Sequence, residues 1–292
     1  MTDRRYAATE AEVRRALDGV YERLDPGPAL WRCTAGPYRT PVDVVVEDGP
    51  VVVARASVVP APELTGPLAR AVAIEHDSLL FGRFTHVDGE IRVEQAIVGG
   101  HTMNDQEVRI AVWAAGWAAG AYRPRWERHV AGEALTGGEP VPGVAARRGA
   151  EERVASTQAR VERFLQEQHG GFTHDEAWGY HGPFGSTRVF VSVRHVLETS
   201  TAVLVASPVL SGVELTDALA LDVAEVATGR SFGRFAYAAD RSELWAEHAI
   251  LGDDLDPEEL TAAISAVAGL GDGEDDRLQA THGGLRYADL IR

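Results

Sequence analysis

Apolar positions near the start of the chain recur at helical spacing: Val13, Leu17, Val20, Tyr21 and Leu24 fall on one face. Thr9 and Glu12 have the form of a capping box, which predicts the start of that helix, and Asp25-Pro26-Gly27-Pro28 predicts its end. The period then shortens to that of strands. A short strand is expected around Trp31, and residues 42–46 and 51–59 read as two β-branched runs joined at Glu47-Asp48-Gly49-Pro50. A second helix is expected over 64–74. Runs at 79–87 and 91–98 flank Asp88-Gly89, a pair that favours a tight hairpin turn because both residues tolerate positive φ. Asn104 or Asp105 then caps a long helix that carries Trp113 and Trp117 and ends near Tyr122. The predicted order is α-β-β-β-α-β-β-α.

The second half repeats this order. Val161, Phe164 and Leu165 mark its first helix. Strands follow near Trp178, at 188–197 and at 202–209, then a helix over 215–227 and a hairpin over 231–251. The last helix opens at Asp256-Pro257, with proline in the first turn where its missing N–H costs nothing. Identities support a duplication. Residues 63–84 and 214–235 share 11 of 22 positions, including Phe81-Gly82-Arg83-Phe84 and Phe232-Gly233-Arg234-Phe235. Trp31 with Gly36-Pro37-Tyr38 aligns with Trp178 and Gly182-Pro183-Phe184, and Glu94 aligns with Glu247 after a hairpin longer by two residues. The expected organisation is two tandem α+β domains, residues 1–130 and 154–292, each with a mainly antiparallel five-stranded sheet. Residues 131–153, with Gly137-Gly138, Pro140, Pro142 and Gly143, read as a linker.

Charge narrows the partners. The chain carries net charge −16, and residues 154–292 alone hold 10 Arg and 22 acids, a net −12. Phosphate backbones and anionic lipid are therefore poor partners, and an acidic surface suits solubility or a basic client. No run of about 18 apolar residues offers a membrane span. The first 24 residues lack the form of a secretory signal. A single cysteine, Cys33, excludes an intrachain disulfide, so a cytoplasmic setting is expected. All 28 basic residues are arginine, as GC-rich coding would give.

Chemical motifs are sparse. Cys33 has no partner pattern for a nucleophile. His169, His174 and His181 cluster, but without zinc-site spacing, and read as a solvated loop beside a metal-binding alternative. Neither a nucleophile elbow nor a nucleotide-binding glycine loop is present, so no catalytic residue and no cofactor is expected. The residues left for partner binding are Trp113 and Trp117, four apart on one helical face, with Phe81, Arg83, Phe84, Phe232, Arg234 and Phe235. Each has a structural alternative. The tryptophans would pack on their own sheet or on the other repeat, with Gly116 and Gly120 beside them for close approach by a partner if they do not. Arg83 and Arg234 would form salt bridges to Glu94 and Glu247 across the hairpin.

The aromatic strand, turn, second strand with an aliphatic pair, polar break and capped helix read Phe81 to Val98 then Asn104 onward, and Phe232 to Leu251 then Asp256 onward. In this the chain resembles the YbjN family and the type III secretion chaperones of the Tir-chaperone type, in two copies. The resemblance implies a non-enzymatic, cytosolic chaperone or adaptor that binds extended polypeptide. It also implies that the copies pair within one chain or between chains. A self-assembling structural or sensory subunit, and a small-molecule or metal binder using the three histidines, stand as alternatives.

Overall fold

The computed structural model describes residues 2–21, 23–27, 30–47, 51–79, 81–100, 103–133, 150–176, 178–196 and 200–290. The chain divides into two compact units, residues 1–72 with 79–141 and residues 73–78 with 142–292. Most of the expected linker lies outside the described residues.

The first domain runs α1 (Thr2–Leu17), β1 (Arg23–Gly27), β2 (Leu30–Ala35), β3 (Thr40–Glu47), β4 (Val51–Pro60), α2 (Gly66–Ser78), β5 (Arg83–Val87), β6 (Glu90–Val98) and α3 (Asp105–Val130). Its sheet is antiparallel, in the order β1-β2-β3-β4-β6-β5. The second domain runs α4 (Ala150–Gln168), β7 (Thr173–Asp175), β8 (Gly179–Phe184), β9 (Thr187–Val196), β10 (Ser200–Ser211), α5 (Asp217–Thr228), β11 (Arg234–Ala238), β12 (Glu243–Leu251), α6 (Pro257–His282) and α7 (Tyr287–Leu290). Its order, β7-β8-β9-β10-β12-β11, is that of the first sheet.

The α+β class and the two-copy layout are as the sequence predicts, with one strand more in each sheet. β1 occupies the segment read as a helix stop, and β7 the segment read as a solvated turn; edge positions accept the Pro and Gly that argue locally against a strand. Three further readings change. Thr9 is buried inside α1 and does not start it, because the preceding turns also wind into helix. That helix stops at Leu17, leaving Val20 exposed. The strands expected from 79 and 231 begin only at Arg83 and Arg234, because Gly82 and Gly233 take φ of +77° and +86° and break the extended run before them. Those values explain the repeated glycine, since a side chain is disfavoured there.

Each sheet buries one face under its first and last helices. In the first domain Trp31, Val42, Val44, Phe84 and Ile91 meet Val13 and Leu17 of α1 and Val112, Tyr122 and Trp126 of α3. Phe84 makes edge-on contacts to Tyr122 and Trp126, both with ring centroids 5.1 Å apart. In the second domain Val189, Val191, Val203, Val205 and Phe235 are buried with Val161 and Leu165 of α4 and Leu260, Ile264 and Val267 of α6. The last helix of each domain opens with a full capping box, Asn104 with Glu107 and Asp256 with Glu259, each closing three otherwise unpaired N–H groups.

Candidate functional site

Strand alternation sends every second side chain to the sheet face away from these helices. In the first domain one row of that face crosses five strands. Arg32 lies opposite Asp43, Asp43 opposite Arg55, Arg55 opposite Glu94, and Glu94 opposite Arg83. The signs alternate along the whole row. Arg32 donates to both Asp43 oxygens, with Nη2 to Oδ2 at 2.7 Å. Glu94 receives two guanidinium groups, Arg83 at 2.9 Å and Arg55 at 3.3 Å, and Arg55 also pairs with Glu47. The face is a ladder of charges paired with one another, and Arg32, Asp43 and Arg55 line a hollow of about 690 Å³ on it.

The equivalent row in the second domain follows the same register: His181 opposite Phe190, Phe190 opposite Ala206, Ala206 opposite Glu247, and Glu247 opposite Arg234. The hairpin pair survives as Arg234 and Glu247 at 3.1 Å. The other three charged positions are lost, and aromatic rings gather beside the gap. Trp178 and Trp245 stack at 6.3 Å and 18°, and Phe190 packs against both, at 5.6 and 6.0 Å. Trp178 remains 49% exposed. The Arg241 guanidinium lies over Trp245 at 5.6 Å. Together these residues line a pocket of about 370 Å³ whose floor includes Ser192, Ala206 and Glu247.

A strand edge borders the pocket. β8 pairs with β9 only from Thr187 to Val191, whereas β9 pairs with β10 on to Val196. Gly179, at φ +81°, turns the chain out of β8; a Cβ there would sit 2.6 Å from the Val191 carbonyl oxygen. From Ser192 to Val196, β9 thus has a strand on one side only among the described residues. An edge of this kind offers N–H and C=O groups to an added strand.

Burial holds the Glu247 carboxyl above its usual range, and the charge and hydrogen bond of Arg234 offset this only in part. The folded domain therefore keeps this proton to higher pH than the unfolded chain does. The stability contributed by this group is full below the ordinary glutamate value and is lost as pH rises through the raised one. The stability of the wild type relative to Glu247→Gln is expected to be larger at pH 5 than at pH 8, measured by urea unfolding of the second domain. Equal differences at the two pH values would contradict the assignment.

The residues singled out in the sequence fall in different places. Arg83 and Arg234 form the buried hairpin salt bridges, the structural alternative. Phe84 and Phe235 are 2% exposed and belong to the cores, and Phe81 is buried as well, so their surfaces are taken up by the fold. Phe232 is half-buried, edge-on to His248. Trp113 and Trp117 stack at 6.1 Å on α3, with Trp117 packed on the core. The space beside them is filled by the protein itself: a Cβ at Gly116 would meet Ala35 at 3.0 Å, and one at Gly120 would meet the Tyr38 ring.

Trp178 does not correspond to Trp31. Trp31 is buried in β2, and its register equivalent is Tyr180, also buried; the β8–β9 turn is two residues shorter than the β2–β3 turn, which displaces the match. His169 contacts Thr261, His174 packs on Tyr180, and His181 lies between Thr173 and Arg188. Among the described residues no three His, Cys, Asp or Glu converge as metal ligands. No described helix is long and apolar enough to cross a membrane.

Residues 154–290 match the family model described as T3SS (YopN, CesT) and YbjN peptide-binding chaperone 1. The match contains the whole second sheet and the aromatic pocket, and covers one of the two copies. No curated protein matches the chain.

Proposed function

We propose that the chain is a cytoplasmic chaperone or adaptor that binds an extended segment of another polypeptide, without catalysis, on the sheet face of its second domain. The observation that carries this reading is a coincidence: the stretch similar to peptide-binding chaperones is also the one whose sheet face holds an aromatic pocket beside an unpaired strand edge. The client segment lies along β9 from Ser192 to Val196, its main chain extending the sheet and alternate side chains entering the pocket. Aromatic walls suit this work because they bury a large area with few rotors to freeze. The first domain, whose corresponding face carries paired charges in place of aromatic rings, leaves the client to the second.

The test is a titration of the whole chain with extended, β-branched peptides of about ten residues, followed through tryptophan emission. Saturable binding at one peptide per chain is expected. A flat emission and an absence of heat on mixing would refute the proposal.

A further inference from the structure

The two sheet faces differ at one position in a way that specifies the client. In the first domain Glu94 is held by two guanidinium groups, one from its hairpin partner Arg83 and one from Arg55 on the other side. In the second domain Glu247 occupies the same place in the register, and its hairpin partner Arg234 is retained at 3.1 Å. The equivalent of Arg55 is Ala206. A guanidinium and its three-carbon stem are therefore missing beside Glu247, at a position that lines the pocket. The first face has a hollow too, of about 690 Å³, but its wall is charged, with Arg55 beside Arg32, Asp43 and Arg92 where the second has Ala206, Phe190 and Trp245.

We infer that the client supplies the missing group: an arginine of the bound segment enters the pocket over Ala206, pairs with Glu247, and is flanked by Phe190 and Trp245. This rests on the peptide-binding reading above and adds the side chain that reading leaves open. Four features fit. The geometry of the acceptor is already used for two guanidinium groups at Glu94. Aromatic faces attract guanidinium, and Trp245 already carries that of Arg241. Arg194 on β9 also lines the pocket and its charge acts on Glu247, but it is exposed, and among the described residues only Arg234 lies within ion-pair distance of that carboxylate. The domain's net charge of −12 draws a basic segment towards it. Lysine is the poorer occupant, because a single ammonium cannot both pair with the carboxylate and stack flat on a ring.

The experiment uses the whole chain and four synthetic peptides, each an otherwise identical β-branched decamer with arginine, citrulline, lysine or norleucine at its centre. Citrulline keeps the shape and removes the charge. Calorimetric titration is expected to give the arginine peptide at least tenfold tighter binding than citrulline or norleucine, with lysine between. Glu247→Gln is expected to remove most of that preference. Ala206→Arg, which restores the first domain's arrangement, is expected to abolish binding of the arginine peptide while circular dichroism stays that of the wild type. Equal affinity for the arginine and citrulline peptides in the wild-type chain would overturn the inference and leave peptide binding itself standing. Failure of all four to bind would overturn both. The comparison within the wild type holds whether or not either variant folds.

Discussion

Replacing Trp178 and Trp245 together by alanine is expected to weaken peptide binding by at least about thirtyfold while the protein stays folded. The two rings are stacked on each other and on Phe190, at the wall of the pocket, and Trp178 is half in solvent. Aromatic anchors at the centre of an interface commonly contribute about 2 kcal/mol or more each, which is that factor for one of them. Their contribution to folding is smaller: an exposed aromatic pair adds roughly 0.5–1.5 kcal/mol beyond the area it buries. Trp113→Ala is the matched control. It removes a ring from a stacked tryptophan pair in the other domain, and affinity for peptide should be unchanged. The readouts are calorimetric affinity and urea unfolding of each variant. Loss of binding in Trp113→Ala with retention in the double variant would move the site to the first domain.

Trp126→Ala is expected to destabilise the first domain by about 3–5 kcal/mol, a large share of the stability of a domain this size. Trp126 is fully buried in the last turns of α3, edge-on to Phe84 of β5, so it ties the helix to the far strand of the sheet. Its indole N–H has no acceptor among the described residues, which is a cost the folded state already carries. Trp126→Phe keeps a ring against Phe84 and removes that N–H, so it is expected to cost less than about 1.5 kcal/mol. The contrast separates packing from the polar group. Equal losses in the two variants, read from the urea midpoint of the first domain, would contradict this account of the core.

Much of the fold was legible because it is written locally. The capping residues Asn104 and Asp256 and the hairpin residues Asp88-Gly89 act over a few positions, and the structure places elements where they point. β1 and β7 were hidden because their strand character comes from pairing with β2 and β8, against a local sequence of turn formers. The site was hidden for a related reason. Trp178, Phe190 and Trp245 sit on three separate segments, and only the cross-strand register brings them together. Matching identities along the chain paired Trp178 with Trp31 and so disguised an exposed ring as a core one. The charge ladder was half visible: the repetition of Arg83 as Arg234 with Glu94 as Glu247 was readable, but Arg32, Asp43 and Arg55 become a row only in three dimensions.

These differences between the faces set how the two copies divide the work. Both keep the hairpin ion pair, which belongs to the fold. The first copy pairs the charges of its remaining face with one another, and the second carries apolar rings and a carboxylate with one guanidinium within ion-pair distance among the described residues. On this account a duplicated scaffold serves one client segment per chain, and the acidic balance of the second half favours a client that is basic there.

Amide hydrogen exchange on the whole chain, with and without a saturating arginine-centred peptide, tests the location of the site most directly. Slowed exchange confined to β8 and to β9 from Ser192 to Val196, with β2 and β3 of the first domain unaffected, is the predicted outcome. Protection in the first sheet, with the β9 edge exchanging as fast as before, would contradict it.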